Sequence, residues 1–179
     1  MKRVIITFML LVWAVAAFAQ GSILKQTLEI AEVEINDGQL TMSVFDMPEE
    51  GQHQYFLCVG TLGIGDDYLQ LQIDPLFQLF IPLGNTLEEA QAKMEEFKAI
   101  AKQPEGTEIQ TVGTLALANP TMGEYETVYV ASRRFLVQKI IEFSVHRNGY
   151  VRATHIAKGD FGSLLNSLKL YRKLHKKEK

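Results

Sequence analysis

The sequence predicts an α+β domain in which antiparallel strands, built as hairpins, carry two helices in the order βββββ-α-ββββ-α. Three observations lead there. Asp37-Gly38 and Asn148-Gly149 are turn pairs suited to two-residue hairpin loops, each flanked by alternating apolar residues. Two segments, one after Thr86 and one after Asp160, space their apolar residues as helices do. Between them the period returns to two.

Taking the elements in order, Gln20–Thr27 is a short lead and Leu28–Met47 a hairpin around Asp37-Gly38. A two-residue loop there pairs Ile35 with Leu40, Val33 with Met42 and Ala31 with Val44, so all six lie on one face. Glu32, Glu34, Thr41 and Ser43 take the other, the alternation of a half-buried pair. His53–Leu62 is the most apolar strand, with the lone Cys58 as a buried thiol. Gly63–Asp67 reads as a loop, followed by a strand through Leu69, Leu71 and Ile73 and a short edge strand over Phe77–Ile81 before Pro82. Thr86 and Glu89 form a capping box for a helix that stops at Gln103-Pro104. Strands follow over Thr107–Ala118, Glu124–Ala131 and Arg134–Val145, with a loop at Asn119–Gly123. The Asn148-Gly149 turn sets Arg147 opposite Tyr150, Val145 opposite Arg152, Phe143 opposite Thr154 and Ile141 opposite Ile156. Gly159-Asp160 breaks the last strand, and Asp160 caps a final helix carrying Phe161, Leu164, Leu165, Leu168 and Tyr171.

Composition places the chain among folded proteins. It has 179 residues, is 47% hydrophobic and 22% charged, carries a formal net charge of −3, and has one cysteine. That length fits one domain, and the composition excludes disordered, collagen-like and disulfide-scaffold classes. The near-neutral total argues against a nucleic-acid binder. Lys2 and Arg3, an uncharged stretch from Val4 to Phe18, and Ala17-Phe18-Ala19 have the plan of a secretory signal peptide over residues 1–19. Cleavage between Ala19 and Gln20 would leave Gln20–Lys179, a single domain of charge −5 in the periplasm or outside the cell. The uncharged stretch is too short for the roughly 20 residues of a spanning helix.

The run from Leu87-Glu88-Glu89 through the strands to Asn148-Gly149-Tyr150 and Phe161…Leu168 resembles the PsbP-like fold. There an early hairpin, a mid-chain helix, a strand meander with a turn glycine and a C-terminal helix follow in this order. The resemblance implies a non-catalytic accessory or interaction protein.

Candidate chemistry is sparse. His53 and Cys58 are an odd number of strand residues apart and so face opposite ways. Glu142 and His155 fall directly opposite each other in the Asn148-Gly149 register, which makes them a catalytic candidate or a cross-strand ion pair. His146 shares their face but is opposite Val151, roughly 13 Å from His155 at strand spacing, too far to share a metal. Gly60-x-x-Gly63-x-Gly65 lacks the spacing of a dinucleotide loop. Asp66, Asp67 and Asp74 are weak calcium candidates without a bidentate glutamate. Ser163 and Ser167 have no histidine at triad reach in sequence. No cofactor motif is present.

Charge is unevenly divided. Gln20–Ile100 holds 14 acidic and 3 basic residues, whereas Ala101–Lys179 holds 7 acidic and 13 basic. The tail 172–179, with Arg172, Lys173, Lys176 and Lys177, could meet an anionic surface such as phospholipid headgroups. The expected function is therefore non-catalytic binding of a protein or envelope component after export. One alternative is a carrier of a small apolar ligand lined by Phe45, Tyr55, Phe56, Phe77, Phe80 and Phe97. Another is a hydrolase using Glu142 and His155.

Overall fold

The computed structural model describes residues 28–35, 40–48, 51–59, 63–64, 79–114, 124–147 and 149–175. The strands are β1 (Leu28–Ile35), β2 (Leu40–Asp46), β3 (Tyr55–Val59), β4 (Gly63–Ile64), β5 (Leu79–Gly84), β6 (Glu108–Thr114), β7 (Tyr125–Phe135), β8 (Gln138–Arg147) and β9 (Tyr150–Ala157). Helix α1 (Leu87–Ile100) separates β5 from β6, and α2 (Lys158–His175) follows β9. The strands form one antiparallel sheet in the order β1-β2-β3-β5-β6-β7-β8-β9-β4. The class is α+β, as the alternating and helical periods predict.

Both predicted hairpin registers hold. Ile35 pairs with Leu40, Val33 with Met42 and Ala31 with Val44. In the second hairpin Arg147 pairs with Tyr150, Phe143 with Thr154 and Ile141 with Ile156. Gly149 adopts φ 81°, a left-handed conformation that glycine enters without a Cβ penalty. The capping box also forms. Thr86 Oγ1 accepts from the Glu89 amide at 3.1 Å, and Glu89 Oε2 accepts from the Thr86 amide at 3.1 Å.

Several boundaries differ from the sequence reading, each for a local reason. β3 begins at Tyr55, because His53 is drawn into the β2–β3 connection by a side-chain contact to Asp46. Gly63–Ile64, expected as loop, is the edge strand β4, paired with Ala153 and Arg152 of β9. The expected strand through Leu69, Leu71 and Ile73 lies outside the described residues. The strand expected at an edge over Phe77–Ile81 is instead the interior strand β5, between β3 and β6. Pro82 sits inside it rather than ending it, beside a register shift between Tyr55 and Phe56 that relieves the ladder of its missing N–H. β7 runs on to Phe135 and β8 starts only at Gln138, so Arg134 and Phe135 belong to β7 and the turn falls at Leu136-Val137, a pair without the usual turn residues. Asp160 lies in the first turn of α2 rather than capping it, since the helix starts directly from β9 at Lys158. Ser43, expected on a solvated face, is buried, in register between Glu32 of β1 and the buried Cys58 of β3.

The sheet is strongly coiled. Four residue steps from Val59 to Gly63 reach at most about 14 Å. In a flat sheet, six strand spacings would set β4 roughly 29 Å from β3. The two can be joined only if β9 and β4 curl back toward β3. A bend fits best at β5–β6, where the two strands share only the Phe80–Thr114 register pair. Gly113 beside it leaves no room for a side chain: an added Cβ would lie 2.7 Å from Val128 Cγ2 and 2.8 Å from Leu79 Cδ1.

The helices pack on one face. Met94, Phe97, Phe161, Leu164 and Leu168 bury themselves against Val130, Ile141, Phe143 and Ile156. Phe143 is the hub, edge-on to Phe97 at 5.7 Å and stacked with Phe161 at 6.2 Å. α2 touches β1 and β2 at one end of the strand order as well as β8 and β9 near the other. A smaller cluster of Phe56, Cys58 and Phe80, with Phe45 and Met47, occupies the opposite face. Among the described residues no helix is long and apolar enough to cross a membrane.

Candidate functional site

The least ordinary surface lies at the β7–β8 turn. Phe135, Leu136 and Val137 are 59%, 85% and 95% exposed, three consecutive apolar residues at a hairpin end. Leu136 takes φ 55°, a left-handed conformation that a side chain with a Cβ adopts at a cost. The chain thus presents large apolar side chains to water on a turn it also strains to make.

Cations stand directly behind this tip. Arg134 pairs across the hairpin with Lys139, one register step from the Phe135–Gln138 pair that closes the turn. Both line a cleft of about 220 Å³, with Lys102, Glu105 and Ser132. The far wall is the turn after α1. It is held to β7 by the Ser132 amide donating to Thr107 O at 2.8 Å and the Gly106 amide donating to Ser132 O at 2.9 Å. Ser132 Oγ adds a bond to Gln103 O at 3.3 Å. The cleft therefore rests on a braced backbone and is lined by three cationic side chains.

Glu142 and His155 are register partners, as predicted. Their side chains are otherwise engaged. Glu142 Oε1 accepts from Arg133 Nε at 3.1 Å, and the His155 ring stacks on Phe135 at 6.1 Å. Arg133 thereby joins Glu142 to the base of the apolar hairpin. His146 is opposite Val151 and stacks beside Tyr129 at 4.7 Å, away from His155. Among the described residues no three His, Cys, Asp or Glu side chains gather around a common point. Asp66, Asp67 and Asp74 lie outside the described residues.

Of the basic tail, Arg172 is a strut between the helices. Its Nε donates to Glu88 Oε1 at 3.0 Å, and one terminal nitrogen donates to Gln91 Oε1 at 2.6 Å. Lys169 Nζ lies 2.7 Å from Glu95 Oε1 and holds the Glu95 carboxyl below its usual range. Lys173 borders a second cleft of about 320 Å³ with Gln91, Lys169 and Arg172, so two of the three cations there are already neutralised, by Glu95 and Glu88. Lys176 and Lys177 lie outside the described residues. Ser163 Oγ bonds back to Gly159 O at 3.4 Å, a contact internal to the helix.

Among the aromatics proposed to hold an apolar ligand, Tyr55, Phe56, Phe80 and Phe97 are buried in the two packed clusters, and Phe45 is half-buried beside the smaller one. Phe77 lies outside the described residues. Cys58 is buried, and burial pushes its thiol up to about 12.

The sequence reading missed one contact. His53 Nδ1 lies 2.7 Å from Asp46 Oδ2, and its ring stacks on Tyr55 at 6.0 Å. Asp46 is buried, and its second oxygen, Oδ1, has no hydrogen-bond partner among the described residues. This carboxylate–imidazole pair joins the end of β2 to the start of β3, where Met47 N also donates to Gln54 O at 2.8 Å. Treating the β2–β3 connection as a hairpin would have exposed the pair, since Asp46 and Tyr55 are register partners.

Comparison with protein-family models, with curated proteins and with solved structures finds no match.

Proposed function

We propose that this protein is an exported, non-catalytic binding protein of the bacterial envelope whose working surface is the β7–β8 hairpin end. The observation that carries this reading is the exposed Phe135-Leu136-Val137 tip, backed by Arg134, Lys139 and Lys102. Contiguous exposed apolar residues rimmed by charge mark interaction sites. Backbone strain at the same place argues that Leu136 is kept for what it contacts rather than for stability. The resemblance to the PsbP-like fold points in the same direction.

The polarity of the sheet supports a directed contact. Exposed side chains of β1 include Glu29, Glu32 and Glu34, while at the β7–β8 hairpin end Arg134 and Lys139 stand beyond the Arg133–Glu142 pair. A molecule charged in this way turns its basic end toward an anionic partner.

The test is retention of the purified full chain by envelope fractions of the producing cell. Replacing both tip residues, Leu136→Asp with Val137→Asp, is expected to reduce retention at least fivefold. Equal retention of the two proteins would defeat the reading. So would turnover of an ester, peptide or glycan that is lost in Glu142→Gln or His155→Ala.

A further inference from the structure

We propose that the partner of the β7–β8 end is an anionic phospholipid bilayer, with Leu136 and Val137 entering the interface and Lys102, Arg134 and Lys139 meeting the headgroup phosphates. This rests on the binding reading above and names its partner.

The arrangement of side chains along the hairpin carries the inference. Leu136 and Val137 form the turn, and the Arg134–Lys139 pair lies two residues behind it on each strand. At about 3.3 Å per residue that is roughly 7 Å. Apolar groups of interfacial proteins sit about 5–10 Å into the boundary between headgroups and acyl chains. Inserted to that depth, the tip would hold both cations at the level of the phosphates.

The cations are available for this role. Arg133 is paired with Glu142, but Lys102, Arg134 and Lys139 have no ion-pair partner among the described residues. They converge on the 220 Å³ cleft, where Glu105 is the acidic residue of the lining. An anionic group on the cleft's open side would meet three positive charges against one negative.

Shape and composition favour a bilayer over a protein partner. The buried centre of a protein interface is poor in lysine and anchored in matching pockets. Here the apolar part is a two-residue turn, 85% and 95% exposed, with basic residues immediately behind it. That sequence of layers, apolar and then cationic, mirrors acyl chain and then phosphate.

The experiment places a polarity-sensitive fluorophore on the tip of the full chain through Val137→Cys. Buried Cys58 should stay unlabelled in the folded protein. Because the probe is on the tip, it reads insertion there and not the behaviour of the N-terminal apolar segment. With phosphatidylglycerol vesicles at low salt the emission should shift to the blue, and with phosphatidylcholine vesicles it should not. Adding Arg134→Glu and Lys139→Glu should raise the lipid concentration for half-maximal shift by roughly tenfold or more, given the per-cation attraction of an anionic leaflet. Raising salt should weaken the response as the charges are screened. No shift on phosphatidylglycerol, an equal shift on both lipids, or a shift indifferent to the charge reversals would overturn the proposal. If the tip stays in water on every vesicle while the Leu136→Asp, Val137→Asp protein still loses envelope retention, the lipid identity fails and the binding reading stands.

Discussion

Replacing Leu136 with asparagine should make the protein more stable and a poorer binder. Leu136 holds φ 55°, and the left-handed region costs an ordinary L-residue about 1–2 kcal/mol. Asparagine tolerates that conformation through its short polar side chain and avoids the added chain entropy of glycine. The contacts given up are few, because Leu136 is 85% exposed. Full burial of a leucine is worth about 1.5–3 kcal/mol, so the small buried fraction is worth a few tenths. The net gain is about 0.5–1 kcal/mol, or roughly 1–4 °C in Tm for a chain of this size. Urea unfolding followed by far-UV circular dichroism would show the midpoint moving up with unchanged slope. Leu136→Val is the opposing control. A β-branched residue suits the left-handed region worse and should lower stability by about 1 kcal/mol. An asparagine variant less stable than wild type would refute the strain argument, since Leu136 would then be contributing packing. A more stable variant that still inserts its tip as well as wild type would separate strain from binding.

Three further outcomes are expected. Gly84→Ala should cost about 2–3 kcal/mol, because Gly84 has φ 121° and the new Cβ would lie 2.5 Å from Glu89 Cβ, displacing the carboxylate that caps α1; thermal denaturation at wild-type Tm would contradict this. Phe143→Ala should cost about 3–5 kcal/mol in chemical denaturation, since it removes the ring joining Phe97 to Phe161. Stability should also fall as pH rises from 9 toward 12. The Cys58 thiol, with an ordinary value of 9.0, is pushed up to about 12 by burial, so the unfolded chain ionises first and the loss begins above pH 9. Tyr55, raised from 10.0 to about 12 by burial and then by the charge of Asp46, acts in the same direction above pH 10. A Cys58→Ala variant should flatten the first part of this decline, and an identical pH profile would count against the burial account.

The elements set by local chemistry were legible in the sequence. Asp37-Gly38 and Asn148-Gly149 announced their hairpins, and period-two alternation then determined which residues meet across the strands. Thr86 and Glu89 announced α1 because a capping box needs only residues three apart. What was not legible depended on distant partners. The two residues of β4 are strand only because β9 offers them an edge. The Leu136-Val137 turn carries no glycine, asparagine or proline, so nothing marked it, and the tip was missed with it. Glu142 and His155 were placed opposite each other correctly, but register says nothing of where side chains turn. Arg133 and Phe135, on the neighbouring strand, claimed them. Likewise Arg172 looked like part of a free basic tail until α1 brought Glu88 and Gln91 beside it.

The position of α2 has a consequence for how the chain must fold. This helix packs on β1 and β2 as well as on β8 and β9, so among the described elements the one nearest the C-terminus closes over the one nearest the N-terminus. A chain emerging N-terminus first therefore holds a hairpin whose apolar face has no cover until Leu164, Leu165 and Leu168 arrive. Contacts so far apart in sequence are slow to form. Completion of the core is thus deferred until α2 is in place, which makes a truncation before Lys158 a route to aggregation rather than to a smaller stable protein.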